Sequence, residues 1–401
     1  MANPYLLYTV SFLLSFLLYL LGWSDLYPEI TIHTILFFTI TFLISTYLSF
    51  TIKNSPLLQY TKIANNSIIY RLTTISCAAW VADIIYAQSV PILNILFGLK
   101  YSYNEFVGIP TIHVIISSFQ TFFCVYLFHL FLSVKKNNIL FLCLLNLVPF
   151  VIIFSRSALM IITIACLIIY VTSKSNQLLS ETVKRFIFKI LPFVLIVLIV
   201  FGSLGNLRSG SQLDDSDNAD ELIFLVAEAN SKFYSSGVPK ILFWSYVYIS
   251  SPLANLQRNI DMSNNSYLNS KNITSFFINE LLPDFISKRI GESFGILPTS
   301  PYLISPNLTV GTVYAGSAYY LSWVGLIIMS VFIMVLPKLY LNLLIRNNGL
   351  YIEGIAILCS IYSLLIFDNM FKTSGVSMTL IFPIVLSNFL NPQAKKIATD
   401  Q

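Results

Sequence analysis

Two arginines stand at or near the edges of long apolar runs, and a third lies on a helix predicted within the polar insert. They are Arg156 in Phe154-Ser155-Arg156-Ser157-Ala158, Arg208 in Gly205-Asn206-Leu207-Arg208-Ser209-Gly210, and Arg289 beside Lys288. A guanidinium costs on the order of 2.5–3.5 kcal/mol at the middle of a bilayer and less toward its surface, so an arginine kept so close to hydrocarbon calls for an explanation. Its planar fork of donors grips a phosphate bidentately, in a geometry that lysine cannot reproduce. Such a fork can neutralise charge that develops on a phosphate leaving group. Gly205 and Gly210 would let the backbone around Arg208 approach a ligand closely. The competing readings are structural: Arg156 caps or snorkels, while Arg208 and Arg289, with Arg258, pair with acids of the polar segment around them.

Glu280, Asp284, Lys288 and Glu292 recur every fourth residue. They share one face of a helix predicted over 275–290 if Pro283 is tolerated, and that helix is otherwise kinked or broken there. A carboxylate on that face could act as a general base; the alternative is a solvated charged face. Asp214, Asp215, Asp217 and Asp220 lack the turn glycine and closing glutamate of a calcium loop, and read as a solvated turn. His33, His113 and His129 lie within apolar runs without metal-ligand spacing. Each is expected to be held by a hydrogen bond within or between helices. The five cysteines also sit in apolar runs, supporting neither a disulfide framework nor a zinc site. There is no phosphate-binding loop, dinucleotide fingerprint or nucleophile elbow, so no cofactor, metal or nucleic-acid partner is expected.

The elements that position these residues follow from composition. The chain is 56% hydrophobic and 10% charged, with a mean hydropathy of +0.77, against roughly 25% charged in soluble domains. An all-α integral membrane protein is expected. Ten apolar runs, at roughly 5–22, 30–52, 67–90, 108–134, 138–154, 157–173, 188–204, 313–336, 350–367 and 375–390, are read as transmembrane helices. The first lacks the basic start of a signal peptide and is read as uncleaved. Placing both termini in the cytoplasm puts thirteen Lys and Arg against three acids on that side, which satisfies the positive-inside rule. The organisation is then seven spans over 1–204, one large outward-facing loop over 205–312, and three spans with a short cytoplasmic tail over 313–401.

Pro91 to Phe106 is suited to the outer interface rather than to crossing. Within the large loop, Asn218 with Glu221 predicts a capped helix whose apolar face runs from Leu222 to Phe233, stopped by Gly237-Val238-Pro239. Ile241 to Tyr248 is aromatic and reads as too short to span. Asp261 to Lys271 reads as a loop.

The chain resembles bacterial O-antigen polymerases, the Wzy-type oligosaccharide repeat-unit polymerases, with the O-antigen ligases as near neighbours. The resemblance rests on the Phe154–Ala158 hinge, on Gly205–Gly210 opening the large loop, on Tyr248-Ile249-Ser250-Ser251-Pro252-Leu253-Ala254-Asn255, and on Gly311-Thr312-Val313-Tyr314 ahead of Trp323-Val324-Gly325. It implies a metal-independent glycosyltransferase of the bacterial inner membrane with its large loop in the periplasm. Such an enzyme joins glycan repeat units carried on undecaprenyl pyrophosphate, in lipopolysaccharide biosynthesis, and works with a separate chain-length regulator.

Arg156 and Arg208 match the family's arginine positions, and Arg289 is added from its place in the loop. The ligases use a histidine in the large loop; here that loop has none, which favours polymerase over ligase and leaves Glu280, Asp284, Glu292 or no protein group as the base. Lys288 joins the expected substrate-binding set. Trp244, Tyr248 and Tyr314, with Tyr246, Tyr319 and Tyr320, are candidates to stack on sugar or polyprenyl, or else are interface anchors. The alternatives are a ligase-like glycosyltransferase and a lipid-linked oligosaccharide flippase or transporter.

Overall fold

The computed structural model describes residues 2–53, 60–96, 106–153, 155–174, 222–263, 268–296, 300–347 and 349–390. The expected span at 188–204, Arg208, the Asp214 to Asp220 cluster and the Asn218 cap lie outside these residues. The described residues are helical apart from turns and one isolated bridge between Ser24 and Ala229. In chain order the helices begin with α1 (Pro4–Tyr19), α2 (Ile32–Lys53), α3 (Ile68–Ala87), α4 (Pro91–Leu96), α5 (Ile112–Val134), α6 (Asn137–Ile152) and α7 (Arg156–Lys174). The insert follows with α8 (Leu222–Val226), α9 (Ser231–Ser235), α10 (Leu242–Met262), α11 (Ser270–Phe276), a π turn (Phe277–Leu281) and α12 (Asp284–Phe294). The chain then continues with α13 (Ala315–Arg346), α14 (Tyr351–Leu364), α15 (Ser374–Ser377), a 3-10 turn (Met378–Leu380), α16 (Phe382–Val385) and α17 (Ser387–Leu390).

Five of these, α2, α3, α5, α7 and α13, are long and apolar enough to cross a bilayer, and α1, α6 and α14 are shorter apolar helices. Apolar residues also face outward in continuous stripes. On α2, Ile32, Leu36, Ile40, Leu43, Tyr47 and Phe50 are exposed; on α13, Ile327, Val331, Val335, Leu339 and Leu343 are exposed one turn apart. Water would not tolerate such stripes on a free monomer, whereas lipid is their natural solvent. The chain is a membrane protein.

At the centre lies α14. Nearly every residue from Ile352 to Leu364 is buried, so it has no polar face, and it packs among α1, α5 and α7. Buried amides tie neighbouring helices together. Gln120 on α5 donates to the Asn146 side chain and carbonyl on α6, both at 2.7 Å, and accepts from Ser76 on α3. Inside an apolar bundle such groups hold register, because any slip would leave them unpaired.

Three expectations change in the structure. The predicted helix from Leu222 to Phe233 is two short helices. Between them Glu228 adopts φ +48°, Ala229 bridges Ser24, and the Asn230 side chain caps α9 while donating to the Gly22 carbonyl and to Asp25. Pairing with the loop after α1 has overridden local helix preference. Ile241 to Tyr248 is the start of a 21-residue helix, α10, which runs through Pro252 to Met262 and so takes in the first residues of the expected Asp261–Lys271 loop. The expected last span is four short pieces over 374–390. Pro383 lacks an N–H, and the Leu380 and Pro383 carbonyls are taken by the Tyr340 hydroxyl at 2.9 Å and the Leu350 N–H at 2.8 Å.

The polar residues of α10 hold the insert down. Asn255 accepts from the Ile304 N–H at 2.8 Å and donates to the Leu308 and Val310 carbonyls, both at 2.7 Å. One turn on, Asn259 accepts from the Tyr302 N–H at 2.9 Å and donates to its carbonyl at 2.8 Å. Two side chains thus do for the extended stretch at 302–310 what a neighbouring strand would do. Asn255→Leu removes these partners at similar volume. It should cost about 2 kcal/mol or more, since each buried polar group left unpaired costs about 1–3 kcal/mol. Thermal melts of the detergent-solubilised protein should show a drop of several degrees and faster proteolysis at 302–310; an unchanged melt would contradict this role.

Candidate functional site

The insert docks on the bundle end where α5 and α7 begin and α6 and α14 finish. The Asp284 N–H donates to the Lys372 carbonyl at 2.8 Å, the Phe285 N–H to Ser374 Oγ at 2.8 Å, and the Arg289 guanidinium to Thr111 Oγ1 at 2.8 Å. At this end a pocket of about 350 Å³ is lined by Phe106, His113, Val114, Ser117 and Thr121 from the start of α5 and its approach, by Ile153, Ser155, Ser157 and Ala158 from the hinge, and by Thr373, Gly375 and Val376. Its size falls in the range of small-ligand sites, and its wall mixes hydroxyl groups with apolar surface.

The expected hinge is as short as the sequence suggests. Pro149 and the bond from the Ser155 N–H to the Phe150 carbonyl end α6, and α7 starts at Arg156. Arg156 is exposed, between two serines that line the pocket, and among the described residues it has no ion pair or hydrogen bond. Arg289 is exposed on α12 and reaches Thr111, two residues before His113. Neither arginine is itself a lining residue: Arg156 stands between two that are, and Arg289 reaches Thr111 just ahead of α5.

The four-residue repeat of charges does not form one face. The π turn ends at Leu281 and the chain is extended through Leu282 and Pro283, so Glu280 is detached from Asp284, Lys288 and Glu292, which follow one another along α12. Lys288 and Glu292 are exposed, whereas Glu280 is buried. Its carboxylate lies 3.5 Å from Lys372 Nζ and against Gly316, where a Cβ would overlap it. Asn369 donates to the Glu280 carbonyl at 2.7 Å.

Burial pushes the Glu280 carboxyl above its ordinary range, with Lys372 and Asn369 opposing the shift. Burial raises Asp284 too, opposed by Lys372 and Lys288. For Lys372, burial disfavours the charge, but Glu280, Asp284 and Asp368 together outweigh it and hold its pKa above the usual lysine value. This cluster adjoins the pocket through Thr373. It clamps the insert to the bundle, and spacing alone does not reveal it because Lys372 is 92 residues beyond Glu280.

The aromatic candidates lie elsewhere. Tyr314 is fully buried, with its hydroxyl 2.6 Å from that of Tyr8. Trp244 packs on a small aromatic core of the insert formed by Phe224, Phe233, Phe243 and Tyr246, and Tyr248 lies against Phe367 with ring centroids 5.0 Å apart. None of the three lines the pocket.

Two of the histidines have the interhelical hydrogen bonds expected of them. His113 Nδ1 lies 2.7 Å from Asp83 Oδ2, and at the opposite end of α5 His129 Nδ1 lies 2.6 Å from Glu353 Oε1 with Nε2 3.0 Å from the Thr61 carbonyl. His113 differs in that it also faces the pocket. A partial signal in the sequence was Asp83, a lone acid in an apolar run, since such residues are costly and commonly functional. Compared with known family models, curated protein sequences and solved structures, the chain has no significant match.

The cluster's charge balance gives a signed expectation. Carboxyls whose folded pKa is raised stabilise the fold only while protonated, and that contribution is lost as pH rises from the ordinary carboxylate range through the raised values. Lys372 limits the loss, so Lys372→Met should lower the melting temperature more at about pH 8 than at about pH 5. An equal loss at both pH values, measured in detergent, would remove this role.

Proposed function

We propose that the chain is a surface-polysaccharide polymerase of the bacterial inner membrane that joins undecaprenyl-pyrophosphate-linked repeat units at the periplasmic face. In this reading both termini lie in the cytoplasm, the ten expected crossings stand with the last made by the broken segment over 374–390, and the large insert faces outward. The reading is carried by one observation: a pocket at the insert end of an apolar bundle, partly walled by hydroxyl-bearing side chains, with Arg156 between two of its lining serines and Arg289 reaching Thr111 close by. A lipid-linked sugar pyrophosphate presents its phosphates at the membrane face and its glycan beyond it, and guanidinium and hydroxyl groups at one end of a bundle suit such a ligand. Arginines neutralise the charge on the leaving pyrophosphate, without a metal. Arg208, expected to act with them from the family resemblance, lies outside the described residues. A separate membrane partner governs chain length.

A second reading has its own observation. His129 and Glu353 are both buried at the other end of the bundle, and both histidine nitrogens lie within hydrogen-bond distance of oxygen atoms. Ionisable pairs of this kind occur in proton-coupled transporters, which favours a flippase for lipid-linked oligosaccharide. A host strain lacking the gene distinguishes the two. For the polymerase, surface glycan collapses to single repeat units still attached to their anchor, wild type restores the ladder, and Arg156→Ala restores little of it. Complete loss of attached repeats would overturn the polymerase reading and support the transporter.

A further inference from the structure

His113 is held as a catalytic imidazole would be. Asp83 is fully buried on α3, and one of its oxygens accepts the Ile109 N–H at 2.7 Å while the other faces His113 Nδ1 at 2.7 Å. Toward an ionised Asp83 the donor is Nδ1, which leaves Nε2 as the nitrogen that can take up a proton when the ring is neutral. Among the described residues Nε2 has no hydrogen-bond partner, and the side chain is 29% exposed at the pocket wall. The ring is fixed by Trp80 at 5.7 Å and Phe106 at 5.5 Å between centroids. Gly108 makes the close approach possible, since a Cβ there would lie 2.6 Å from Asp83 Oδ1 and 2.7 Å from His113 Nδ1. Structural histidines of a bundle have both nitrogens satisfied, as His129 has; this one is oriented by a buried acid and left open toward a cavity.

Resting on the polymerase reading, we propose that His113 is the base that takes the proton from the acceptor sugar hydroxyl, with Asp83 as its positioning residue. As the acceptor oxygen bonds to the anomeric carbon of the donor, its proton passes to Nε2. The bond from that carbon to the pyrophosphate oxygen breaks, and the electron pair leaves with the lipid pyrophosphate. The imidazolium beside Asp83 then returns its proton to water. The carboxylates on the insert are less well placed: Glu280 is paired with Lys372, and neither Asp284 nor Glu292 lines the pocket. Among the described residues, the charged groups around His113 besides Asp83 are Arg289 on Thr111, Arg156 between the lining serines, and Lys372 next to Thr373.

The test uses the full-length protein in liposomes with a synthetic polyprenyl-pyrophosphate repeat unit, comparing wild type, His113→Gln and Asp83→Asn from about pH 5 to about pH 9. Glutamine can still donate to Asp83. Loss of a general base should lower kcat by about 10² or more with KM for the lipid substrate little changed. Wild type should lose rate toward acid as its imidazole takes up a proton, a limb absent from the residual activity of His113→Gln. Asp83→Asn, with the histidine intact, should lose kcat as well. Undiminished kcat in either variant, or the same acid limb without the imidazole, overturns the proposal. If His113→Gln does not fold, Asp83→Asn decides alone. A wild type that binds the lipid substrate but makes no polymer would instead overturn the polymerase reading on which the step rests.

Discussion

A polar group taken out of water into an apolar bundle must find its partner within the protein, and this requirement organises the molecule. Asp83 is satisfied by an imidazole and a backbone amide, Glu353 by His129, Glu280 by Lys372, and the extended stretch of the insert by Asn255 and Asn259. Each pairing joins segments distant in sequence. The apolar surface facing lipid supplies no such specificity, because hydrocarbon tails solvate leucine as well as another helix does. Long-range order therefore rests on a few polar contacts, at the two ends of the bundle, along α10, and between α3, α5 and α6 through Gln120 and Asn146.

The helical membrane architecture was legible in composition and in the spacing of apolar runs, since a bilayer accepts only elements that satisfy their own backbone. What failed was the detail wherever tertiary bonds compete with local preference. The helix expected through Phe233 breaks because Asn230 finds better partners in Gly22 and Asp25. Helix α10 continues past Pro252 because its two asparagines and Gln257 have partners in the insert and in Thr34. The run at 375–390 looks continuous in hydropathy, yet Tyr340 and Leu350 take the carbonyls that a helix would have used.

Part of the site was equally legible. Arg156 stands out by charge at the edge of an apolar run and sits between two pocket-lining serines, whereas Arg289 lies on a charged helix of the insert and comes near through Thr111. The repeat of Glu280, Asp284, Lys288 and Glu292 was misleading because Pro283 turns the chain between the first and the rest. His113 could not be told from His33 or His129 by sequence, as its distinction lies in the packing of α3 on α5 and in the cavity beside it. Asp83 is a single acid in an apolar run, but so is Glu353, the partner of His129, so the acid alone does not single out His113.

The most direct test of the central claim is mass spectrometry of the products formed when the purified protein, in liposomes, meets one defined polyprenyl-pyrophosphate repeat unit. A polymerase yields lipid-linked glycans at integral multiples of the repeat mass, with one free polyprenyl pyrophosphate released for each bond formed. Lipid-linked single repeats that only change leaflet, with no new glycosidic bond, would contradict the account and identify a transporter.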